Sequence, residues 1–213
     1  NIYMKKLVLS DFHERRGGKM VDFAGYYMPV QYEGVKAEHH AVRNAVGVFD
    51  VSHMGEIFVK GAGAEAEDFL QYVTSNDISQ LTPGKIQYSC MPNGKGGIVD
   101  DLLVYKLAES SYLLVVNASN LDKDWAWLNK NNKWDCELTN SSDKYSLLAV
   151  QGPQSIALLQ ELTDLDLSAI KYYNFKIGSI AGIEDVILSR TGYTGEIGFE
   201  LYVKNESAKQ LWE

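Results

Sequence analysis

Two adjacent carboxylates, Asp100 and Asp101, sit inside Ile98-Val99-Asp100-Asp101-Leu102-Leu103-Val104-Tyr105, a stretch otherwise apolar on both faces. Side chains alternate along a strand, so Asp101 shares a face with Val99, Leu103 and Tyr105, and Asp100 shares the other with Ile98, Leu102 and Val104. At least one carboxylate then points into apolar surroundings. An ionised carboxylate stripped of water and left unpaired costs several kcal/mol, so it must be paired, hydrogen-bonded or retained for chemistry. The plainer reading places both acids at the mouth of the loop 94–97, one capping backbone N–H groups and the other meeting water. The residues alone leave both readings open.

A second candidate is Arg190-Thr191-Gly192-Tyr193-Thr194-Gly195-Glu196-Ile197-Gly198-Phe199-Glu200, three glycines spaced by three around an aromatic ring and two acids. Glycine permits close backbone approach or positive φ, and a tyrosine face with a glutamate could clamp a flat ligand rich in N–H donors. On these residues alone a glycine-rich connection between two strands is the preferred reading.

Other motifs point away from familiar chemistries. Gly61-Ala62-Gly63-Ala64-Glu65-Ala66 formally matches a dinucleotide fingerprint, but the next strand ends at Cys90-Met91 without the required acid. Gly17-Gly18-Lys19-Met20 lacks the Ser or Thr of a phosphate loop. His13, His39, His40 and His53 show no ligand spacing, so no metal site is expected. No G-x-S-x-G elbow occurs. Cys90 and Cys136 stand alone without C-x-x-C and are expected as reduced core thiols of a cytosolic protein.

The elements that must carry these residues follow from periodicity. Residues 35–46 place Val35, His39, Val42 and Val46 near helical spacing, and residues 62–73 place Ala66, Phe69, Leu70 and Val73 on one helical stripe. Residues 56–60 between them alternate like a half-buried strand. Thr82-Pro83-Gly84 is a turn, and strands are expected at 85–91, 98–107 and 112–117. The short loops at 92–97 and 109–111 force antiparallel pairing, because a parallel crossover needs about a dozen residues. Leu121, Trp125 and Leu128 mark a helix, and strands follow at 134–139 and 145–150. Pro153 opens a helix reaching residue 162. Residues 175–181 and 185–191 form a hairpin turned at Gly182, 198–203 is a strand, and Asn205 is expected to cap a closing helix. The fold class is α+β, with mostly antiparallel sheets and interspersed helices.

With 46% hydrophobic residues the chain can bury a sizeable core. The formal charge of −8, with only Lys5-Lys6 and Arg15-Arg16 as basic doublets, disfavours nucleic acid and anionic membranes. No apolar run approaches the ~20 residues of a membrane span. Met4 is a possible native start, with residues 1–3 an addition or an upstream extension.

Gly17-Gly18-Lys19-Met20-Val21 with Phe23-Ala24-Gly25, Pro29-Val30-Gln31-Tyr32, Phe49-Asp50-Val51-Ser52-His53-Met54-Gly55, Gly96 to Asp101, Val115-Val116-Asn117-Ala118, Gln151-Gly152-Pro153 and residues 190–200 together resemble the glycine cleavage T protein family. They occur in the family's order and cover essentially the whole chain. The resemblance implies a folate-binding, aminomethyltransferase-like fold whose first lobe spans 1–50 plus 141–213 and whose second, ferredoxin-like lobe spans 51–140. It implies a transferase that takes the aminomethyl group from the lipoyl arm of the H protein, releases ammonia and gives 5,10-methylenetetrahydrofolate. Tetrahydrofolate is then co-substrate and the H protein the partner, in a bacterial cytoplasm. By the same resemblance Asp101 is the catalytic carboxylate and Glu200 binds the donor edge of the pterin. Tyr193 and Asn117 line the pocket, and Met54, Tyr88, Tyr105 and Tyr172 pack around the folate.

The family continues past residue 213 through an arginine-bearing segment and a C-terminal β-barrel domain missing from this chain. The implied consequence is a C-terminally truncated piece that binds folate weakly and turns over poorly. Two other classes share the pocket. One is a non-catalytic folate-binding member of the iron–sulfur assembly type, and the other is a folate-dependent demethylase.

Overall fold

The computed structural model describes residues 4–213; residues 1–3, on which the expectation of an upstream extension falls, lie outside the described residues. The chain divides into two compact units, one running to His53 and resuming over Lys144–Glu213, the other spanning Met54–Asp143.

The first unit opens with β1 (Lys5–Lys6), α1 (Ser10–Arg15), β2 (Met20–Phe23), β3 (Tyr26–Pro29), α2 (Val35–Asn44) and β4 (Gly47–Asp50). β1, β3 and β2 make a small sheet in that order, with β1 parallel to β3. None of α1, the small sheet or β4 was expected from periodicity, because each is too short to show a pattern. They are held by side chains instead. His13 of α1 is fully buried and bonds Asp50 of β4 through Nε2 at 2.8 Å, while its Nδ1 meets the Tyr32 hydroxyl. In α2 only Val42 is buried; Val35 and His39 are exposed, so the expected stripe narrows to one residue.

The second unit contains β5 (Gly55–Lys60), α3 (Glu65–Val73), β6 (Ile86–Pro92), β7 (Ile98–Ala108), β8 (Ser111–Val116), α4 (Leu121–Asn131) and β9 (Glu137–Asn140). Its five-stranded sheet has the order β6-β7-β8-β5-β9 and every pairing is antiparallel. The β6–β7 turn forms as expected: Asn93 Oδ1 accepts from Lys95 and Gly97 backbone N–H, and Gly94 and Gly96 take positive φ. The Gly61-to-Ala66 segment therefore joins an antiparallel strand to α3, which is not the parallel setting a dinucleotide site requires. α3 buries Ala66, Phe69, Leu70 and Val73, its expected stripe, against Ile57, Val59, Leu114 and Leu128. Its first turn carries Glu65, Glu67 and Asp68, whose charges favour the positive end of the helix dipole. Cys136 joins this core, and Cys90 is half-buried. β9 is shorter than the strand expected over 134–139, because Asn132 instead bonds both backbone groups of Cys136 and shapes a loop there.

The chain then returns to the first unit through β10 (Tyr145–Gln151), α5 (Ser155–Gln160), β11 (Phe175–Ile180), β12 (Ile183–Ser189), β13 (Gly198–Lys204) and α6 (Ala208–Trp212). The sheet order is β11-β12-β13-β10-β4, again antiparallel. Leu148, Val150, Leu188, Phe199 and Leu201 form the centre of its core. Asn205 does not cap the last helix with its side chain; its Oδ1 accepts from Ser146 Oγ at 2.8 Å, tying the end of β13 to β10. No described helix is long and apolar enough to cross a membrane.

Phe69 is fully enclosed in the core of the second unit, so Phe69→Ala leaves a cavity there. The expected loss is about 3–5 kcal/mol of unfolding free energy, measured by denaturant titration.

Candidate functional site

In the second unit, β7 pairs with β6 so that Asp101 lies opposite Cys90 and Leu103 opposite Tyr88. Tyr88 is therefore the diagonal neighbour of Asp101 on one face of the sheet. Its hydroxyl donates to Asp101 Oδ2 at 2.8 Å. Asn117, immediately beyond β8, donates from Nδ2 to Asp101 Oδ1 at 2.9 Å and to the Asp101 carbonyl at 3.2 Å. Asp101 is half-buried, so its carboxylate is held on two sides and still open to a ligand.

Asp100 takes the other face and is buried. Its Oδ1 accepts from Asn117 Nδ2 at 3.0 Å and Asn120 Nδ2 at 2.7 Å, and its Oδ2 accepts from the Asn117 backbone N–H at 3.2 Å. Burial pushes this carboxyl up, but hydrogen bonds from Asp124, Asn117 and Asn120 outweigh it and hold the group below the usual carboxylate range. Asp100 accepts one backbone N–H, but from Asn117 rather than from the loop 94–97, and its surroundings are polar rather than apolar. Asp101 stays half-exposed.

Tyr105 shares the Asp101 face by alternation and is fully buried. Met54 precedes Gly55, which pairs with Val116, and so stands at the same end of the sheet as Asn117. Four of the predicted residues of this unit, Asp101, Asn117, Tyr88 and Met54, thus gather at one sheet end, with Tyr105 one turn of the pleat further along.

Two further acids of this unit carried no signal in the sequence. Asp124 of α4 is 0% exposed, and burial followed by its bond to Asp100 pushes its carboxyl up to about 8. Glu56 of β5 is 1% exposed, and neither of its oxygens has a hydrogen-bond partner among the described residues. Burial alone raises it well above the usual range, so it stands neutral. Residues 56–60 read as a half-buried strand, whereas Glu56, Ile57 and Val59 are all buried, so both faces of β5 are covered around Glu56.

In the first unit, Glu200 of β13 lies opposite Ala149 of β10 and Ser189 of β12. Its Oε2 accepts from Thr191 Oγ1, and Thr191 in turn meets Ser189 Oγ at 2.8 Å. Burial raises this carboxyl, and the Thr191 bond offsets part of that rise. Tyr193, at the tip of the glycine loop, is fully exposed, and Tyr172 is largely exposed with its ring edge-on to Tyr173 at 4.7 Å. The nearest polar partner of Glu200 is Thr191 rather than either predicted tyrosine.

The loop's glycines have a structural cause. Gln151 is wholly buried beneath the loop, donating to the Thr191 and Phe199 carbonyls at 3.1 and 3.3 Å and accepting from Thr194 Oγ1 at 2.8 Å. A Cβ at Gly192 would lie 2.0 Å from Gln151 Oε1, and one at Gly198 would lie 2.5 Å from its Nε2. Only glycine fits against that carboxamide, while Gly195, at φ +77, makes the turn.

Two antiparallel five-stranded sheets, one carrying a tethered acid pair and the other a glycine loop closed over a buried glutamine, make up the α+β domain. The chain belongs to the GCVT N-terminal domain family, whose model matches residues 9–213. An aminomethyltransferase of Flavobacterium psychrophilum is 58% identical over 209 residues, covering 98% of this chain and 58% of that protein. One from Bacteroides thetaiotaomicron is 57% identical over 210 residues, covering 99% of this chain and 58% of its own length. The crystal structure of the glycine cleavage system aminomethyltransferase T from Bartonella henselae superposes with a TM-score of 0.89 at 36% identity, over 98% of this chain and 56% of that one. A heterotetrameric sarcosine oxidase from Corynebacterium sp. U-96 shares the fold, with a TM-score of 0.57 at 18% identity over 82% of this chain. The chain spans a little under three-fifths of the length of the curated relatives it matches.

The contact distances around Gln151 predict that Gly198→Ala crowds the carboxamide and lowers stability by about 1–3 kcal/mol. Tyr193→Ala, on the exposed tip, changes it by less than about 0.5 kcal/mol. Thermal unfolding of the two variants side by side reads the difference.

Proposed function

We propose that this chain is the folate-handling part of an aminomethyltransferase of the glycine cleavage system, acting in a bacterial cytoplasm. The full protein takes the aminomethyl group from the lipoyl arm of the H protein, passes its methylene carbon to tetrahydrofolate and releases ammonia. The carrying observation is Asp101, a half-buried carboxylate held by the Tyr88 hydroxyl and the Asn117 amide, in a chain of the aminomethyltransferase family.

Tetrahydrofolate suits these residues. Each Asp101 oxygen takes one protein donor in addition to its exposure, and a carboxylate oxygen has lone pairs for a second. In this reading Asp101 faces the N10 region of the folate while N5 attacks the methylene carbon. A fixed negative charge there stabilises the cationic character that develops on the carbon and amines. Because Tyr88 and Asn117 hold the carboxylate beforehand, little reorganisation is needed at the moment of transfer. Met54 and Tyr88 contribute apolar and aromatic surface beside it, whereas Tyr105, expected to pack against the folate, is fully buried in the unit and has no surface to offer. Glu200, with Tyr193, Tyr172 and the other groups of its own unit, offers an acceptor to the N–H edge of a pterin.

Transfer from aminomethylated H protein to tetrahydrofolate by the full-length protein tests the reading. Asp101→Asn is expected to slow methylenetetrahydrofolate formation by about 100- to 10,000-fold. Unchanged transfer in that variant removes Asp101 from the chemistry. Glu200→Gln is expected to weaken tetrahydrofolate binding by about 10- to 100-fold in calorimetry, the worth of a hydrogen bond to a charged group. Folate binding without any transfer in the wild type would place the protein among the non-catalytic members of the superfamily.

A further inference from the structure

We propose that Asp124 and Asp100 share a single proton across the contact of α4 with β7, and that this proton positions Asn117 and, through it, Asp101. Asp124 is fully buried, and among the described residues no N–H or O–H reaches either of its oxygens. The group it meets is the Asp100 carboxyl, itself an acceptor, where the start of α4 lies against β7 with Asn120 on Asp100 and Lys123 on the Val99 carbonyl. Two carboxyl groups bond each other only when one carries a proton.

The surrounding donors decide which one does. Asp100 already accepts three N–H bonds, from Asn117 Nδ2, Asn117 N and Asn120 Nδ2, a set that favours its ionised form. Asp124 accepts none and so supplies the O–H. The remaining charged groups near it are Asp101, which opposes its ionisation, and Lys123, which favours it; the Lys123 ammonium is turned to the Val99 carbonyl at 2.6 Å. With the proton in place, Asp100 is a fixed anion that holds Asn117 by its backbone N–H and by its side-chain amide, and that side-chain amide also reaches Asp101 at 2.9 Å. Without it, two carboxylates face each other in a site closed to water, and Asp100 must move and take Asn117 with it. Asp124 touches no substrate in this scheme and is a positioning residue.

The linkage runs in one direction. Asp124 releases its proton near 3.8 in the unfolded chain and only at about 8 in the folded one. Folding stability from this group therefore falls as pH rises between those values and is flat above them. Asp124→Asn keeps a donor toward Asp100 without a titrating proton, and it removes that slope. The difference infrared spectrum of wild type minus Asp124→Asn at neutral pH, recorded on the full-length protein without folate, is expected to show one carboxylic-acid C=O band that disappears above about pH 8.

The effect on Asp101 rests on the transfer reading and is measured separately, as tetrahydrofolate affinity and transfer rate against pH. The wild type is expected to decline above about pH 8 and Asp124→Asn to lack that limb. Asp124→Leu, with no donor, is expected to bind on the order of tenfold more weakly than Asp124→Asn. Absence of the infrared band, or an alkaline limb unmoved in Asp124→Asn, overturns the proposal. Should Asp124→Asn fail to fold, Asp100→Asn must abolish the same band, since its amide then serves an ionised Asp124. A band lost on schedule in a protein that binds no tetrahydrofolate leaves the shared proton standing and removes the transfer reading instead.

Discussion

One primary amide, Nδ2 of Asn117, holds the acid end of the second sheet together. Strand alternation forces Asp100 and Asp101 to opposite faces, so no interaction within β7 can fix both. Asn117 lies just past the end of the neighbouring strand, level with the pair, and its amide reaches Oδ1 of each acid, at 3.0 and 2.9 Å. A group on the sheet's end is the one place from which both faces are within reach. The β7–β8 register, with Leu102 opposite Val116, is what delivers it there. A slip of one residue in that register would exchange the faces of every side chain on β8 and take Asn117 away from both carboxylates.

A buried carboxamide does the comparable work in the first unit. Gln151, at the end of β10, satisfies one carbonyl and one hydroxyl of the loop leading into β13 and the Phe199 carbonyl at the start of that strand. Leaving any of these unmet in the interior would cost about 1–3 kcal/mol. The loop must therefore lie flat on the glutamine, and the flatness excludes Cβ at Gly192 and Gly198. Glu200 inherits its position from this arrangement, two residues beyond Gly198 on a strand whose start Gln151 has fixed. In both units a neutral amide organises an acid without adding charge to an already acidic chain.

What the sequence disclosed and what it withheld divide along the range of the interactions. α3 was legible because Ala66, Phe69, Leu70 and Val73 repeat at 3.6 residues, and the β6–β7–β8 meander because the 93–97 and 109–110 connections are too short for anything but antiparallel return. The chemistry of the Asp100–Asp101 pair was half legible: alternation separated the two side chains, but it could not say that the buried member would meet Asn117, Asn120 and Asp124. Those partners lie 17 to 24 residues away in sequence, in segments whose relation to β7 only the pairing register sets. α1 and β1 to β3 were invisible for a different reason. They are two to six residues long and are held by bonds such as His13 to Asp50, a separation of 37 residues. Function came from the ordered set of motifs rather than from any one of them, since the glycine loop on its own is accounted for by Gln151.

The treatment of acids follows from these placements. Glu56 and Asp124 are buried with no N–H donor, and an ionised carboxylate in that state would be far costlier than a neutral one. Protonation is the resolution available to each, so neither adds its charge to the protein's field. Asp100 escapes the same fate only because three N–H groups converge on it. Asp101 remains half-exposed. Asp101 is thus the one acid of the cluster left facing water, with Asp100 and Asp124 committed to the scaffold. Such a division requires the sheet to bury Asp100 and Asp124 together and to leave Asp101 outside, and strand alternation at a tandem acid pair is the simplest sequence device that achieves it.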